Sequence, residues 1–204
     1  MIAFRCRFLN LPGSMTTPFS EKILIADTDI ILEPIDDHHA HLLLNLVNDN
    51  RPALRQWLPW VDRMRTIENF RWYINRCKEQ HEEKTDYSYV VKVKEQAAGR
   101  IGIHYIDQQN KSGAIGYWIG SDFSGRGIIT KGCVTLINHC FTELGLNRLE
   151  IKCATRNYKS AAVAERLSFT KEGVLRQAEW VNGQAVDLSV YAMLKKEWVM
   201  KQNS

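Results

Sequence analysis

Ser124-Gly125-Arg126-Gly127-Ile128-Ile129-Thr130 is the stretch whose residue types and spacing are best suited to chemistry. Two glycines flank an arginine. An apolar run from Gly113 to Ile119 reads as a strand leading in, and a helical period starts directly afterwards and runs to Gly145. A strand, a Gly-X-Gly loop and a helix start together make a cradle for phosphate. The first helical turn leaves amides unpaired, the helix dipole favours an anion there, and glycine lets the backbone approach without a Cβ in the way. A P-loop would end in Gly-Lys-Ser/Thr, but Gly127 is followed by Ile128 and Ile129. A dinucleotide fingerprint needs a third glycine three residues on, and position 130 is threonine. An acyl-CoA pyrophosphate site and an ordinary strand-to-helix turn both remain open at this point.

Three other groups of residues invite a chemical reading. Trp57-Leu58-Pro59-Trp60 is stiff and amphipathic, suited either to plug a helix end into the core or to form one wall of an acceptor pocket. His38, His39 and His41 fall in the first turns of one helix. No second ligand group stands at a spacing that closes a metal site, so they read as a solvated face and no metal is expected. Cys6, Cys77, Cys133, Cys140 and Cys153 show no CxxC spacing and sit in apolar surroundings. An odd set of this kind reads as reduced, buried thiols of a cytoplasmic protein.

The elements that must hold these residues follow from periodicity. The 204 residues are 45% hydrophobic, enough for one domain with a substantial core. A net charge of +4 suits an anionic ligand or acidic partner and does not by itself argue for nucleic acid. No apolar run approaches the roughly 18 residues that a membrane span requires. Residues 1–22 place Arg5 and Arg7 among apolar residues with no cleavage signature, which reads as a loosely ordered tail or an upstream start rather than a signal peptide. The domain is expected over residues 23–200.

Ile23–Ile25 and Ile30–Leu32 read as short strands around a turn. Asp36 or Asp37 is placed to cap a helix carrying Ala40, Leu43, Leu44 and Val47, and Thr66 starts a second helix with Phe70, Tyr73, Ile74 and Cys77 inward. Three β-rich runs follow, Tyr87–Val93, Ala98–Asp107 and Gly113–Ile119, joined by short polar turns as an antiparallel meander. After the glycine loop comes a helix ending at Gly145. Then come a strand over Arg148–Ala154, a helix over Ser160–Leu167, and a strand over Phe169–Arg176. Asn182-Gly183, a type I′ signal, joins Ala178–Val181 to Ala185–Leu194. Helices both early and late around antiparallel strands mean an α+β class with a mixed sheet.

That order, with this loop, resembles the GNAT superfamily of acetyl-CoA-dependent N-acetyltransferases. The superfamily loop reads Gln/Arg-x-x-Gly-x-Gly/Ala. Here the six positions run from Ser124 to Ile129, with Gly127 matching, Ser124 in place of Gln/Arg and Ile129 in place of Gly/Ala. Asn157-Tyr158-Lys159-Ser160 and the stretch to Phe169 match a second superfamily signature, Asn-x-x-Ala/Ser followed by a short helix ending in Gly-Phe, with Ser168 in the glycine position. Trp57–Trp60, Ile115–Trp118, Leu146–Lys152 and Arg176–Trp180 look like the RimL/RimJ group of ribosomal-protein N-terminal serine/alanine acetyltransferases. The resemblance covers residues 23–198. It implies a mostly antiparallel sheet, flanked by helices and splayed at the acetyl-CoA site.

The resemblance also implies roles. Backbone groups of Trp118 and Ile119 would hold the pantetheine arm, and amides of Gly125, Arg126, Gly127, Ile128, Ile129 and Thr130 the pyrophosphate, with the Arg126 charge in support. Asn157 would bind the cofactor's amide region, and the Ile119 amide would donate to the thioester oxygen. Glu179, among Ala178, Trp180 and Val181, would be the base, with a solvated hairpin residue as the plain alternative. The tyrosine that commonly protonates the thiolate is replaced by Ala164, which leaves Ser160 to contact the sulfur. Trp57 and Trp60 would line the acceptor site. The acceptor is expected to be a protein N-terminal α-amine, for which the group's acidic ribosomal substrate is the model. A small amine (polyamine, amino acid or amino sugar) is the alternative, and a non-catalytic acyl-CoA sensor the second. A homodimer is expected by likeness to related enzymes, with no nucleic-acid or membrane partner.

Overall fold

The computed structural model describes residues 22–202; the N-terminal tail before Lys22, and Cys6 within it, lie outside the described residues. Eight strands form one sheet: β1 (Leu24–Asp27), β2 (Ile30–Pro34), β3 (Tyr87–Val93), β4 (Gln96–Asp107), β5 (Ser112–Ile119), β6 (Arg148–Ala154), β7 (Thr170–Val181) and β8 (Gln184–Leu194). Five helices accompany them: α1 (His39–Leu54), α2 (Ile67–Glu82), α3 (Ile128–Thr142), α4 (Tyr158–Arg166) and α5 (Lys195–Gln202). The spatial order is β1-β2-β3-β4-β5-β6-β8-β7. Every neighbouring pair is antiparallel except β5 and β6. A parallel pair needs a crossover, and α3 supplies it.

Helices cover both faces, so the central strands are apolar on both sides. The first five residues of β3 are all buried. On one face α3 sets Cys133, Leu136, Ile137, Cys140 and Phe141 against Leu32, Ile101, Ile115 and Ile151. On the other, α1 contributes Ala40, Leu43 and Val47 and α2 contributes Phe70, Ile74 and Cys77, packed around Val90 and Trp118. Beneath α2 lies a buried polar network. Asp86 binds the Ser88 hydroxyl and the His104 ring, and Arg100 donates to Ser88 and lies 2.7 Å from His104 Nε2. Burial opposes ionisation of Asp86, but His104 and Arg100 outweigh it and hold the carboxyl below its usual range.

One departure from regularity organises the whole molecule. β5 and β6 pair only from Ser112–Arg148 to Ile115–Ile151. Beyond that point β5 stays with β4 as far as Ile119 opposite Gly99, and β6 stays with β8 as far as Ala154 opposite Leu188. The two strands therefore part and leave a gap flanked by Gly116–Ile119 on one side and Lys152–Ala154 on the other. The sheet is mixed, mostly antiparallel and splayed, as the sequence led us to expect.

Several local expectations need correction. Neither Asp36 nor Asp37 caps α1 through its side chain: the cap residue is His38, and the carbonyls of Asp36 and Asp37 accept the His39 and Ala40 amides in a tight turn. Helix α3 stops at Thr142, before Gly145, which still takes the left-handed conformation at φ +67°. The two runs around Arg176 are one strand, β7, interrupted by an irregularity. Thr66 does cap α2, in a reciprocal box with Asn69. Asn182 and Gly183 both have positive φ, +51° and +76°, as a type I′ turn demands.

Candidate active site

The glycine loop is shaped by its two glycines. Gly125 and Gly127 sit at φ +78° and +74°, a region that L side chains avoid, and a Cβ at either would meet nothing within 4 Å. The protein leaves that space open. Gly127 caps α3 without a side-chain partner, and no acid stands in the first turn. The first-turn amides of Ile128, Ile129 and Thr130 have no intrahelical acceptors. The side chains of Ile128 and Ile129 are buried in the core, so the cradle is made of backbone. That explains how isoleucine can occupy a position where the superfamily pattern has glycine or alanine. Cations stand nearby. Arg126 lies over the Phe123 ring, 5.8 Å from its centroid, and Arg166 from α4 donates to Thr130 Oγ1 at 3.1 Å. Arg166 was not singled out from the sequence, because nothing in its spacing ties it to a loop 36 positions away.

The β5 side of the gap carries donors. The Gly120 amide donates to the Ala98 carbonyl at 2.8 Å. Ladder groups alternate in direction along a strand, so the Ile119 N–H points the other way, into the gap. Gly116–Ile119 have no β6 partner, which is where an extended ligand can pair as an added strand would. These backbone features fit a long ligand with an amide-bearing arm and a phosphate end. The Trp118 side chain takes no part in the gap. It is buried on the opposite face, with the Trp60 ring 6.0 Å away.

On the β6 side, α4 starts at the gap. Asn157 caps it, its Oδ1 accepting the Ser160 amide at 3.1 Å, which leaves the side-chain NH2 as the group available to a ligand. The Ser160 hydroxyl lies 3.0 Å from the Tyr117 hydroxyl. Ala164, one turn further on, is fully buried and carries no hydroxyl. Tyr158 is exposed and stands apart from the site.

Glu179 is placed by the irregularity in β7. Leu175 pairs with Leu188, and the next registered pair is Glu179 with Val186, so three residues of β7 loop out opposite Asp187. Gln177 takes φ +49° there, and its amide donates to Asp187 Oδ1 at 2.8 Å. Bulges re-aim side chains. Here the result is a Glu179 only 6% exposed beside a Trp180 that is 67% exposed. Burial pushes the Glu179 carboxyl above the ordinary carboxylate value. The hairpin tip is tied across to α1, where Asn182 Nδ2 donates to the Arg55 carbonyl at 2.6 Å.

Trp57 and Trp60 are half-buried and pack against the α1–α2 core. The segment that holds them is pinned by Arg51, which donates to the carbonyls of Val61 and Met64. Helix α1 runs through Pro52 and ends at Leu54, just before the segment. The structure also corrects the histidine cluster. His38 is exposed, but His39 is completely buried, its Nδ1 accepting the Asp36 amide at 3.0 Å and its Nε2 3.6 Å from Glu33. Glu33, from β2, is the second group that spacing along one helix did not bring into view.

The acetyltransferase (GNAT) domain pattern matches residues 29–170. The chain belongs to the GNAT family. A GNAT relative, the ribosomal-protein-serine acetyltransferase of Escherichia coli (strain K12), is 29% identical over 86% of this chain and 97% of its own length. Among solved structures, the ribosomal L7/L12 α-N-protein acetyltransferase RimL in complex with coenzyme A superposes with a TM-score of 0.83 at 31% identity, covering 86% of this chain and 99% of that one. The microcin C7 self-immunity acetyltransferase MccE, in complex with acetyl-CoA and AMP, gives 0.80 at 31% identity over 83% and 94%. This GNAT protein is accordingly an N-acetyltransferase that uses acetyl-CoA, and the sensor alternative is set aside. Among the described residues no helix is long and apolar enough to cross a membrane.

Proposed function

We propose that this enzyme transfers acetyl directly to the N-terminal α-amine of a protein, with Glu179 as the base. The observation that carries this reading is the inward-turned, buried Glu179, whose proton affinity is raised by burial. An α-amine has a pKa of about 8 and is roughly one-tenth neutral at pH 7, whereas a lysine amine near about 10.4 is almost wholly charged. One carboxylate of raised proton affinity suffices for the first. The similarity to a ribosomal-protein-serine acetyltransferase and to RimL supports the same class of acceptor.

Acetyl-CoA, when bound, supplies an acetyl group activated as a thioester. The loop amides from Gly125 to Thr130 hold its phosphates, and the free β5 edge at Ile119 holds its arm, whereas the Trp118 backbone groups, expected to share that task, are turned to β4 by the same alternation. The Ile119 N–H donates to the acyl oxygen, Asn157 offers its amide NH2, and Ser160 Oγ–H contacts the sulfur. Trp57 and Trp60 bound the acceptor side. The four described cysteines are buried and free, which supports direct transfer without a cysteine acyl-enzyme and suits a reducing cytoplasm.

A second reading, a small amine as acceptor, is favoured by one contact. The Asn182–Arg55 hydrogen bond bounds the space between the α1 end and the β7–β8 hairpin, where a peptide would need an open groove. Thiol release from acetyl-CoA, measured with a panel of N-terminal peptides and small amines on wild type and Glu179→Gln, separates the two. Peptides are expected to raise release above background and Glu179→Gln to abolish most of it. Release with small amines alone, or full activity in the variant, would overturn the proposal.

A further inference from the structure

Tyr117 is a polar group at the gap to which the proposed chemistry assigns no task. It lies on β5 two residues past the last β5–β6 pair, and its side chain packs on the α3 face with Ile119. Its hydroxyl crosses the gap and reaches α4, 3.0 Å from Ser160 Oγ and 3.2 Å from the Ser160 carbonyl oxygen. Burial pushes its phenol pKa far up, so it keeps its proton at any working pH, with the Ser160 carbonyl and hydroxyl oxygens as the two acceptors in reach and the hydroxyl the nearer. The Cys153 thiol, on β6 across the gap, is close enough to feel the Ser160 hydroxyl. Ser160 is thus tied to the β5 side of the gap. Its neighbour along α4, Ala164, contributes nothing polar.

We propose that Tyr117 is a positioning residue for the departing sulfur: its O–H donates to Ser160 Oγ and thereby directs the serine proton at the thiolate. This rests on the acetyl-transfer reading of the site and on Ser160 as the sulfur contact. Serine is too weak an acid to protonate a thiolate, and a buried phenol is no better, so the pair acts by hydrogen bonding rather than by ionising. The C–N bond forms and the C–S bond breaks, with the electron pair of the broken bond going to sulfur. The proton lost by the amine leaves through Glu179 to solvent. Sulfur departs as a thiolate held by Ser160 Oγ–H and takes its proton from water. Donation from Tyr117 polarises the serine hydroxyl and strengthens that single bond, an advantage in a site of low dielectric.

The test is the ionisation of bound coenzyme A, followed by thiolate ultraviolet absorbance as pH is raised. It is run on wild type, Tyr117→Phe, Ser160→Ala, their double variant, Ser160→Thr and Glu179→Gln. The thiol is expected to titrate lower when bound to wild type than when free. Tyr117→Phe and Ser160→Ala should each raise its pKa, the double variant no more than the larger single, and Ser160→Thr should restore it. In turnover, Tyr117→Phe should lower kcat about tenfold, as loss of one hydrogen bond to a charged centre does, with the KM for acetyl-CoA within about twofold. Wild-type titration in Tyr117→Phe, additive effects in the double variant, or loss of coenzyme A binding would each overturn the proposal. Glu179→Gln should titrate like wild type. If it also turns over like wild type, the base assignment fails while the Tyr117 result stands on its own.

Discussion

Two regions of the proposed site are built from different materials. The donor side, running from Ile119 through Gly127 to Thr130, offers backbone: amides at a helix start, glycines at positive φ, and a strand edge without a partner. The acceptor side offers side chains: Trp57 and Trp60 pinned by Arg51, and Glu179 turned inward by a bulge and steadied by the Asn182–Arg55 contact. A backbone cradle tolerates substitution wherever the conformation survives, which is how Ile129 can stand in the loop. A side-chain site depends on particular atoms and on distant contacts that aim them. On the proposed reading, cofactor binding common to the family is held by the donor side, and the choice of acceptor by the other.

The largest effect that would sharpen this contrast lies at Glu179. Glu179→Gln should lower kcat with a peptide acceptor by about 100-fold, the scale of a lost general base, while acetyl-CoA affinity measured by calorimetry stays unchanged. Its stability should not fall. Glu179 has a folded pKa above its unfolded value, so its favourable contribution is complete only at low pH and is lost as pH rises through the folded value. At pH 7 a neutral glutamine carries no such penalty, and thermal melting should give a Tm equal to or above wild type. A lower Tm at pH 7 would mean the carboxylate is a structural anchor.

Next in size is Gly127→Ala. It forces a left-handed alanine, costing about 1 kcal/mol of stability, and puts a methyl group in the open phosphate space. The KM for acetyl-CoA should rise about tenfold, equivalent to about 1.4 kcal/mol, with the KM for the acceptor unmoved. A rise in the acceptor KM instead would break the division between the two sides.

The smallest is Asn182→Gly, which keeps the positive φ and removes only the tie to Arg55. One hydrogen bond contributes about 1 kcal/mol net, so the acceptor KM should shift by roughly 2- to 5-fold and that for acetyl-CoA not at all. Steady-state kinetics with each substrate varied in turn reads all of this. A lowered KM for long peptides would show that the contact narrows a groove that peptides use.

The same contrast governs what was legible in the sequence. The meander, the glycine loop and the Asn182-Gly183 turn were readable because local periodicity and φ requirements dictate them. The extent of β6, Arg148–Ala154, was read to the residue. Tertiary arrangements were not. The looping-out of Arg176–Ala178 that buries Glu179 arises from pairing with β8, and a strand read by alternation alone would have placed its neighbours differently. His39 reads as solvated until β2 brings Glu33 against it. The ties that close the acceptor side, from Arg51 to Val61 and Met64 and from Asn182 to Arg55, span 10 to 127 positions, beyond any local pattern. Tyr117 sat in plain view beside Trp118, and strand alternation puts the two on opposite faces. What its hydroxyl met could only come from the fold.

The claim that the acceptor is an α-amine can be tested on a single molecule that carries both kinds of nitrogen. A peptide with a free N-terminal serine and an internal lysine, incubated with enzyme and acetyl-CoA and sequenced by tandem mass spectrometry, reports which nitrogen is modified. Acetyl on the α-amine, lost in Glu179→Gln, is the predicted result. Acetyl on the lysine side chain, or an untouched peptide beside an acetylated small amine, would contradict it.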